Sequence, residues 1–380
     1  MLVLMALAGR ASGLDAVGLV ILATSTGYLV AAVADFGLST QTARWFARMT
    51  DASRAQLRGP LLVRTLGAIP IALAIAWLLF TSSFPDLSDP GWIVSTALLA
   101  GAYCASLITT QAAYGSGRFR RTATLNGGIR LLSVGLLLLA SFAGAAVWSL
   151  VLVVAVAEYA IAVLQYQSLS PVGAASTEDL TPRRTWPFAV GPIANNLMNR
   201  SDTVVVAAVA TAVVVSSYAL ASQIENALTT IALVPAGAAT VYAARRSGGA
   251  MARQLGVVST VVGGIYVVLA IPVAIAPSVF TNVLFGVVPP SEMPIRICLL
   301  AGIFSCLAGV AIMLLNGAGD GRGTAAIWTS AAVASVVFLM GGAWLFGADG
   351  AAYGALIRDV LLFGLAWTRL RIVMRRSSEH

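Results

Sequence analysis

Ionisable side chains inside long apolar segments are the feature of this sequence that could carry chemistry. Arg130, Arg200 and Arg358 lie in such segments, as do Asp202 and Glu225. A charged group within a bilayer is costly, so each is a candidate for function. Because arginine binds phosphate groups through paired hydrogen bonds, the three arginines predict a cationic cavity for a phosphate or pyrophosphate. The carboxylates are predicted to take part in ion or proton coupling.

Structural roles are the alternative for each of these residues, since polar side chains also join helices in membranes. Asp35, a third candidate for coupling, and the weaker candidate Glu158 lie near the predicted interface, where a side chain can snorkel to water. Arg358 and Asp359 are adjacent, so we expect them to point about 100° apart on a helix and not to pair.

The segments that hold these residues are predicted to be transmembrane helices. The chain has 380 residues, of which 59% are hydrophobic and 10% are charged, whereas about a quarter of a soluble domain is charged. Apolar runs long enough to cross a bilayer recur along the chain. Met1–Ala8 precede them as the remnant of a first helix. The predicted spans are 16–36, 60–80, 91–113, 122–141, 144–166, 186–208, 213–241, 255–276, 295–316, 324–346 and 350–368.

Arginines concentrate in alternate connections between these spans. Arg118, Arg120 and Arg121 follow one span, whereas the next connection back, 81–90, carries no arginine. The positive-inside rule places the arginine-rich connections in the cytoplasm. We therefore predict a multi-pass protein of the cytoplasmic (inner) membrane with both termini in the cytoplasm.

Two weak internal similarities predict a duplicated architecture. Gly115–Arg118 matches Gly319–Arg322 as Gly-x-Gly-Arg, and Gly18–Ala23 aligns with Ser216–Ala221 at a nearly equal offset. Six helices in each repeat give parallel halves, an arrangement found in transporters. We predict an all-α polytopic membrane protein with two six-helix lobes in a parallel pseudo-twofold repeat and a truncated first helix. The lobes are 1–167 and 186–380, joined by a cytoplasmic linker at 168–185.

Composition narrows the function classes. All 23 basic residues are arginine and the single histidine is His380, so we expect no histidine metal site and no phosphate-binding loop lysine. Cys104, Cys298 and Cys306 lie in apolar segments and are predicted to be buried apolar residues. We expect no cofactor, no metal, no catalytic residues and no nucleic-acid partner.

The motif residues resemble a known family. Gly18–Ala23, then Ala34–Leu38 and Ala43-Arg44, resembles the amino-terminal signature of polysaccharide (O-antigen) flippases. These belong to the multidrug/oligosaccharidyl-lipid/polysaccharide (MOP) exporter superfamily. Asn199–Asp202 followed by Tyr218–Ala221 is similar to the start of that family's second lobe. The resemblance covers essentially the whole chain, although its motifs are short.

This resemblance implies a MATE-like fold of two six-helix lobes around a central cavity. It implies that the protein flips an undecaprenyl-pyrophosphate-linked oligosaccharide to the outer leaflet by alternating access. The implied partners are that substrate, membrane lipids, and a polysaccharide polymerase or glycosyltransferases of the same pathway. The family's first helix lines the cavity, and most of it is missing here, so either the true start lies upstream or this copy is impaired.

Three other functions remain open. An ion-coupled multidrug-type antiporter would favour carboxylates over arginines in its cavity. A membrane glycosyltransferase or polymerase would carry a large outer loop, and none of the predicted outer loops exceeds about 20 residues, so this function is disfavoured. A truncated, inactive paralogue is the last. The cytoplasmic loops are too short for a nucleotide-binding domain, so energy is expected from an ion gradient, the membrane potential or a partner.

Overall fold

The structure is a computed structural model that describes residues 1–48, 53–84, 89–170, 180, 201–243, 248–318 and 320–378. The regular secondary structure within these ranges is helical, which confirms the predicted all-α class. A helical stretch at 201–207 precedes α7. The helices are α1 (Leu2–Asp35), α2 (Leu38–Arg48), α3 (Arg54–Ser83), α4 (Pro90–Gly115), α5 (Phe119–Phe142), α6 (Val147–Ser168), α7 (Ala212–Ala243), α8 (Gly248–Ile275), α9 (Pro277–Phe285), α10 (Met293–Gly317) and α11 (Gly321–Ser378).

Eight of the helices in the described residues are long and apolar enough to cross a membrane. The structure therefore has the character of a multi-pass membrane protein, as predicted. Within the described ranges, helices cover the predicted spans. Of the span at 186–208, residues 186–200 lie outside the described ranges.

Two glycines divide helices at predicted boundaries. In α1, Gly13 has φ 80° and ψ −165°, and it separates the predicted remnant from the first full span. In α11, Gly347 has φ 62° and ψ −139° and separates the last two predicted spans. Glycine adopts positive φ without the steric cost of a Cβ atom, so the chain can turn there without a longer loop.

The chain forms two compact units, Met1–Ala208 and Val209–His380. In the first unit, α4 packs against α1, α2, α3 and α6, while α5 packs mainly on α6. In the second unit, α10 packs against α7, α8 and α11. Most of the predicted linker at 168–185 lies outside the described residues, so the predicted lobe boundaries stay a prediction.

The two short helices, α2 and α9, were not predicted. The buried residues Leu38, Thr42, Trp45 and Phe46 define one face of α2, which packs on α4. A helix of 11 residues is too short to span a bilayer, so a search for long apolar runs does not detect it.

Contacts between residues close in sequence stabilise both ends of α9. Gly286, at φ 69°, ends α9 in the left-handed conformation. After it, Glu292 accepts hydrogen bonds from the Ser278 backbone and from Arg296. Hydrogen bonding from Ser278 is the main cause that holds the pKa of Glu292 below its ordinary value. The positive charge of Arg296 lowers this pKa further.

The contact between α2 and α4 depends on Gly115. A Cβ atom at this position would overlap the backbone carbonyl of Ala43, which cannot move aside as a flexible side chain could. We expect Gly115→Ala to lower the free energy of unfolding by about 1–3 kcal/mol, as overpacking does. Thermal unfolding of the detergent-solubilised protein measures the change.

Gly135→Ala is the matched control, because Gly135 lies inside α5 with open space around it. There the added methyl group is expected to stabilise the helix by about 0.5–1 kcal/mol. Equal stability of the Gly115→Ala and wild-type proteins would contradict the close packing of α2 on α4.

Candidate functional site

Four helices of the first unit, α1, α4, α5 and α6, surround a cleft of ≈ 210 Å³. This volume is enough to hold several water molecules or a small polar group. The polar residues that line the cleft are Tyr28, Tyr103, Ser106, Thr110, Asn126, Arg130 and Glu158.

An ion pair between Arg130 and Glu158 supplies the charge in the cleft. Arg130 Nη2 lies 2.8 Å from Glu158 Oε1, and the exposed fractions of the two side chains are 58% and 4%. The predicted snorkelling of Glu158 is therefore wrong, because its carboxylate is buried against α5 instead of reaching water. More than half of the Arg130 side chain is exposed, so its N–H donors can reach a ligand in the cleft.

Uncharged polar side chains lie around this pair. Asn126 and Arg130 are four residues apart and share one face of α5. Gln165 of α6 donates to Asn126 Oδ1 at 3.2 Å and so links the two helices that carry the ion pair. Tyr28 and Tyr103 stack with ring centroids 3.5 Å apart, on the side formed by α1 and α4.

These uncharged residues were not predicted from the sequence. A signal was nevertheless present in α5 and α6, where polar residues recur at helical spacing in otherwise apolar segments. Asn126 precedes Arg130 by four positions, and Gln165 follows Glu158 by seven. Both spacings place the two side chains on one helix face.

Arg358 and Asp359 are buried in the second unit and form a two-pronged ion pair. Arg358 Nε donates to Asp359 Oδ1 at 2.7 Å, and Nη2 donates to Oδ2 at 3.1 Å. The prediction that these adjacent residues do not pair is wrong, because the arginine side chain is long enough to reach around the helix. Anion binding by Arg358 would have to compete with this neighbouring carboxylate.

Glu225 lies in a second polar cluster of the same unit. It is 5% exposed and accepts a hydrogen bond of 2.8 Å from Thr229. Tyr266 of α8 and Cys306 of α10 both lie within electrostatic range of Glu225 and Asp359. The cluster thus joins four helices, α7, α8, α10 and α11, around two carboxyl groups.

Asp35 joins α1 to α2. Its carboxylate oxygens accept hydrogen bonds from the backbone N–H and the hydroxyl of Ser39, both at 2.8 Å. The side chain is buried, which contradicts the predicted snorkelling to water. The predicted coupling role of Asp35 stays a prediction.

Of the remaining candidates, Asp202 is buried in the helical stretch at 201–207. Arg200, a predicted pyrophosphate ligand, lies outside the described residues.

The three cysteines are buried and free, as predicted. Within the described part of the chain, no group of three or more metal-ligating side chains comes together.

Asp35 variants separate a structural contribution from a charge requirement. Asp35→Ala leaves the Ser39 donors without their acceptor, and we expect it to lower the free energy of unfolding by about 1–3 kcal/mol. Asp35→Asn keeps an acceptor and an additional donor, so its stability should stay within about 1 kcal/mol of wild type. Thermal unfolding of both variants provides the comparison, and equal losses would contradict the hydrogen-bonded link between α1 and α2.

Comparison with known proteins identifies the fold. No protein-family model and no curated protein matches the sequence. The solved structure of the Lipid II flippase MurJ in an inward closed conformation matches with a TM-score of 0.78 at 9% identity, covering 97% of this chain and 84% of that chain. An inward-facing MATE family transporter of the MOP superfamily matches with a TM-score of 0.65 at 14% identity, covering 100% and 94%. MATE in complex with MaL6 matches at 0.58 and 13% identity, covering 100% and 95%.

The chain is therefore a polytopic all-α membrane protein. Its particular fold is the one shared by MurJ and the MATE transporters, which confirms the predicted MATE-like class. At these identities the likeness defines the fold alone.

Proposed function

We propose that this protein is a transporter that flips an undecaprenyl-pyrophosphate-linked oligosaccharide across the cytoplasmic membrane by alternating access. The observation that carries the proposal is the Arg130 guanidinium, which is paired with a buried glutamate and lines an open cleft. It does so in a fold that is also found in a flippase. The proposal includes membership of the polysaccharide (O-antigen) flippases, whose motifs the sequence resembles.

In this proposal the arginines hold the pyrophosphate. Arg130 is the first ligand, because its guanidinium lines the open cleft and can form charge-assisted hydrogen bonds to phosphate oxygens. Arg200 is the second ligand. Arg358 contributes when it gives up its ion pair with Asp359 and binds the substrate instead. Each such pairing moves an anionic group from water to a fixed cation and reduces the cost of carrying it through the membrane.

Carboxylates of the second cluster are proposed to couple transport to an ion gradient. Glu225 is the best placed, because it is buried and lies within electrostatic range of Tyr266 and Cys306. An isolated charge on a buried carboxylate is costly, so such a group tends to bind a proton or a cation. Asp202 and Asp35 are the further coupling candidates.

The cell-level proposals follow from the same substrate. The protein lies in the inner membrane with both termini in the cytoplasm. It receives the lipid-linked oligosaccharide from glycosyltransferases on the cytoplasmic side and delivers it to a polymerase on the outer side of the membrane.

A multidrug-type antiporter is the second candidate. The structural matches to MATE transporters favour it, as do the buried carboxyl groups Glu158 and Glu225. A cationic drug would be repelled by an unmasked Arg130, whereas a pyrophosphate would be attracted. The sign of the transported charge therefore separates the two functions.

Two parallel assays in proteoliposomes test the proposal. One measures transfer of a fluorescent undecaprenyl-pyrophosphate oligosaccharide between leaflets, and the other measures uptake of a cationic dye against a proton or sodium gradient. We expect the first activity without the second. Dye uptake without lipid transfer would overturn the flippase proposal in favour of the antiporter.

A further inference from the structure

Few titratable side chains line the cleft around Glu158 in the described part of the first unit. In the described lining of the first-unit cleft, the titratable side chains are Tyr28 from α1, Tyr103 from α4, Arg130 from α5 and Glu158 itself from α6. Arg130 provides the positive charge among them. The charge of the Glu158 carboxylate is thus balanced by a guanidinium that also lines the open side of the cleft.

A ligand anion and Glu158 therefore compete for one cation. The carboxylate side chain is 4% exposed, so water gives it little solvation once the guanidinium turns away. An ionised carboxylate that is buried without its partner costs several kcal/mol. Repulsion from a phosphate held nearby on Arg130 adds to this cost. Uptake of a proton removes both penalties, because a neutral carboxyl group needs no counter-ion.

Resting on the proposed function, we propose that the Arg130–Glu158 pair couples binding of the pyrophosphate to uptake of one proton. When the anion takes the guanidinium, the carboxylate releases Arg130 and is protonated. When the anion leaves, Glu158 loses the proton and pairs with Arg130 again. The substrate site and a proton site are then one ion pair within the first unit.

This exchange has a defined pH dependence. Because the bound state holds one proton more than the free state, the affinity for the anion falls as pH rises. The slope is about tenfold for each pH unit over the range in which binding and protonation are linked. A site in which Arg130 simply adds a second anion to its existing partner would show no such linkage.

Calorimetric titration of the detergent-solubilised protein tests the proposal, with farnesyl pyrophosphate as the probe. Titrations in two buffers of different ionisation enthalpy give the number of protons taken up for each probe bound. The probe's own ionisation contributes equally to all variants, so the informative quantity is the difference between wild type and Glu158→Gln. We expect wild type to take up about one proton more than Glu158→Gln.

Three variants separate the contributions of the carboxylate, the guanidinium and a nearby exposed charge. Glu158→Gln keeps the size and hydrogen-bonding capacity of the side chain, and its affinity should be higher than that of wild type and less dependent on pH. Arg130→Lys keeps the charge but not the two-pronged geometry, so it should bind more weakly and still take up the proton. Arg120→Ala removes an exposed charge from the same helix and should behave as wild type.

The result that overturns the proposal is equal proton uptake by wild type and Glu158→Gln, or no binding of the probe to wild type. Linked proton uptake without lipid transfer in proteoliposomes would instead contradict the proposed function and leave the exchange standing. Lipid transfer without linked proton uptake would contradict the exchange alone.

Discussion

An Asp359→Ala variant is expected to be less stable than wild type by about 3–5 kcal/mol, the usual loss when one partner of a buried ion pair is removed. Arg358 and Asp359 are both almost completely buried, and two hydrogen bonds join them. Removal of the aspartate takes away the carboxylate that accepts both of these hydrogen bonds from the buried guanidinium. The midpoint of thermal unfolding in detergent measures the loss.

The double variant Arg358→Met/Asp359→Leu is the control for this prediction. Replacement of a whole buried pair by apolar side chains of similar volume is often neutral, so the double variant should regain most of the lost stability. Wild-type stability in the Asp359→Ala variant would contradict the buried pair.

The Arg130→Ala variant is expected to reduce the rate of lipid transfer by about tenfold to a hundredfold. A hydrogen bond to a charged group contributes about 1.5–3 kcal/mol, and each 1.4 kcal/mol corresponds to about a factor of ten. The measurement is the initial rate of transfer of the fluorescent lipid-linked oligosaccharide in proteoliposomes that contain equal amounts of folded protein.

Two controls isolate the role of the Arg130 charge. Arg130→Ala leaves Glu158 buried without its partner, so the double variant Arg130→Ala/Glu158→Gln removes that penalty. The double variant should recover stability and remain defective in transfer. Arg120→Ala changes an exposed arginine of the same helix and should transfer lipid at the wild-type rate. Full activity in the double variant would exclude Arg130 as a ligand.

Most of the helical architecture could be predicted, because apolar runs of membrane-spanning length leave few alternatives to a helix. The divisions at Gly13 and Gly347 coincide with gaps between predicted spans. The short helices α2 and α9 were missed. The face of α2 is set by contacts with α4, through residues such as Trp45 and Phe46, and not by a long apolar run.

The candidate site was predicted only in part. Arg130 and Glu158 were conspicuous as charges in apolar segments, but their pairing depends on how α5 and α6 are placed side by side. Asn126 and Tyr28 carry no charge, and Asn126 was marked only by its spacing of four residues from Arg130. The error at Arg358 arose because the direction of a Cα–Cβ bond was taken for the position of a guanidinium several bonds away.

The measurement that tests the central claim most directly compares two fluorescent lipids in the same proteoliposomes. One carries an oligosaccharide on undecaprenyl pyrophosphate, and the other carries the same oligosaccharide on an uncharged undecaprenyl ether. A membrane-impermeant quencher then reports how much of each lipid reaches the opposite leaflet. A pyrophosphate-binding flippase transfers the first lipid much faster than the second, and Arg130→Ala slows only the first, by about tenfold to a hundredfold. Equal transfer of both lipids, or of neither by folded protein, would contradict the account.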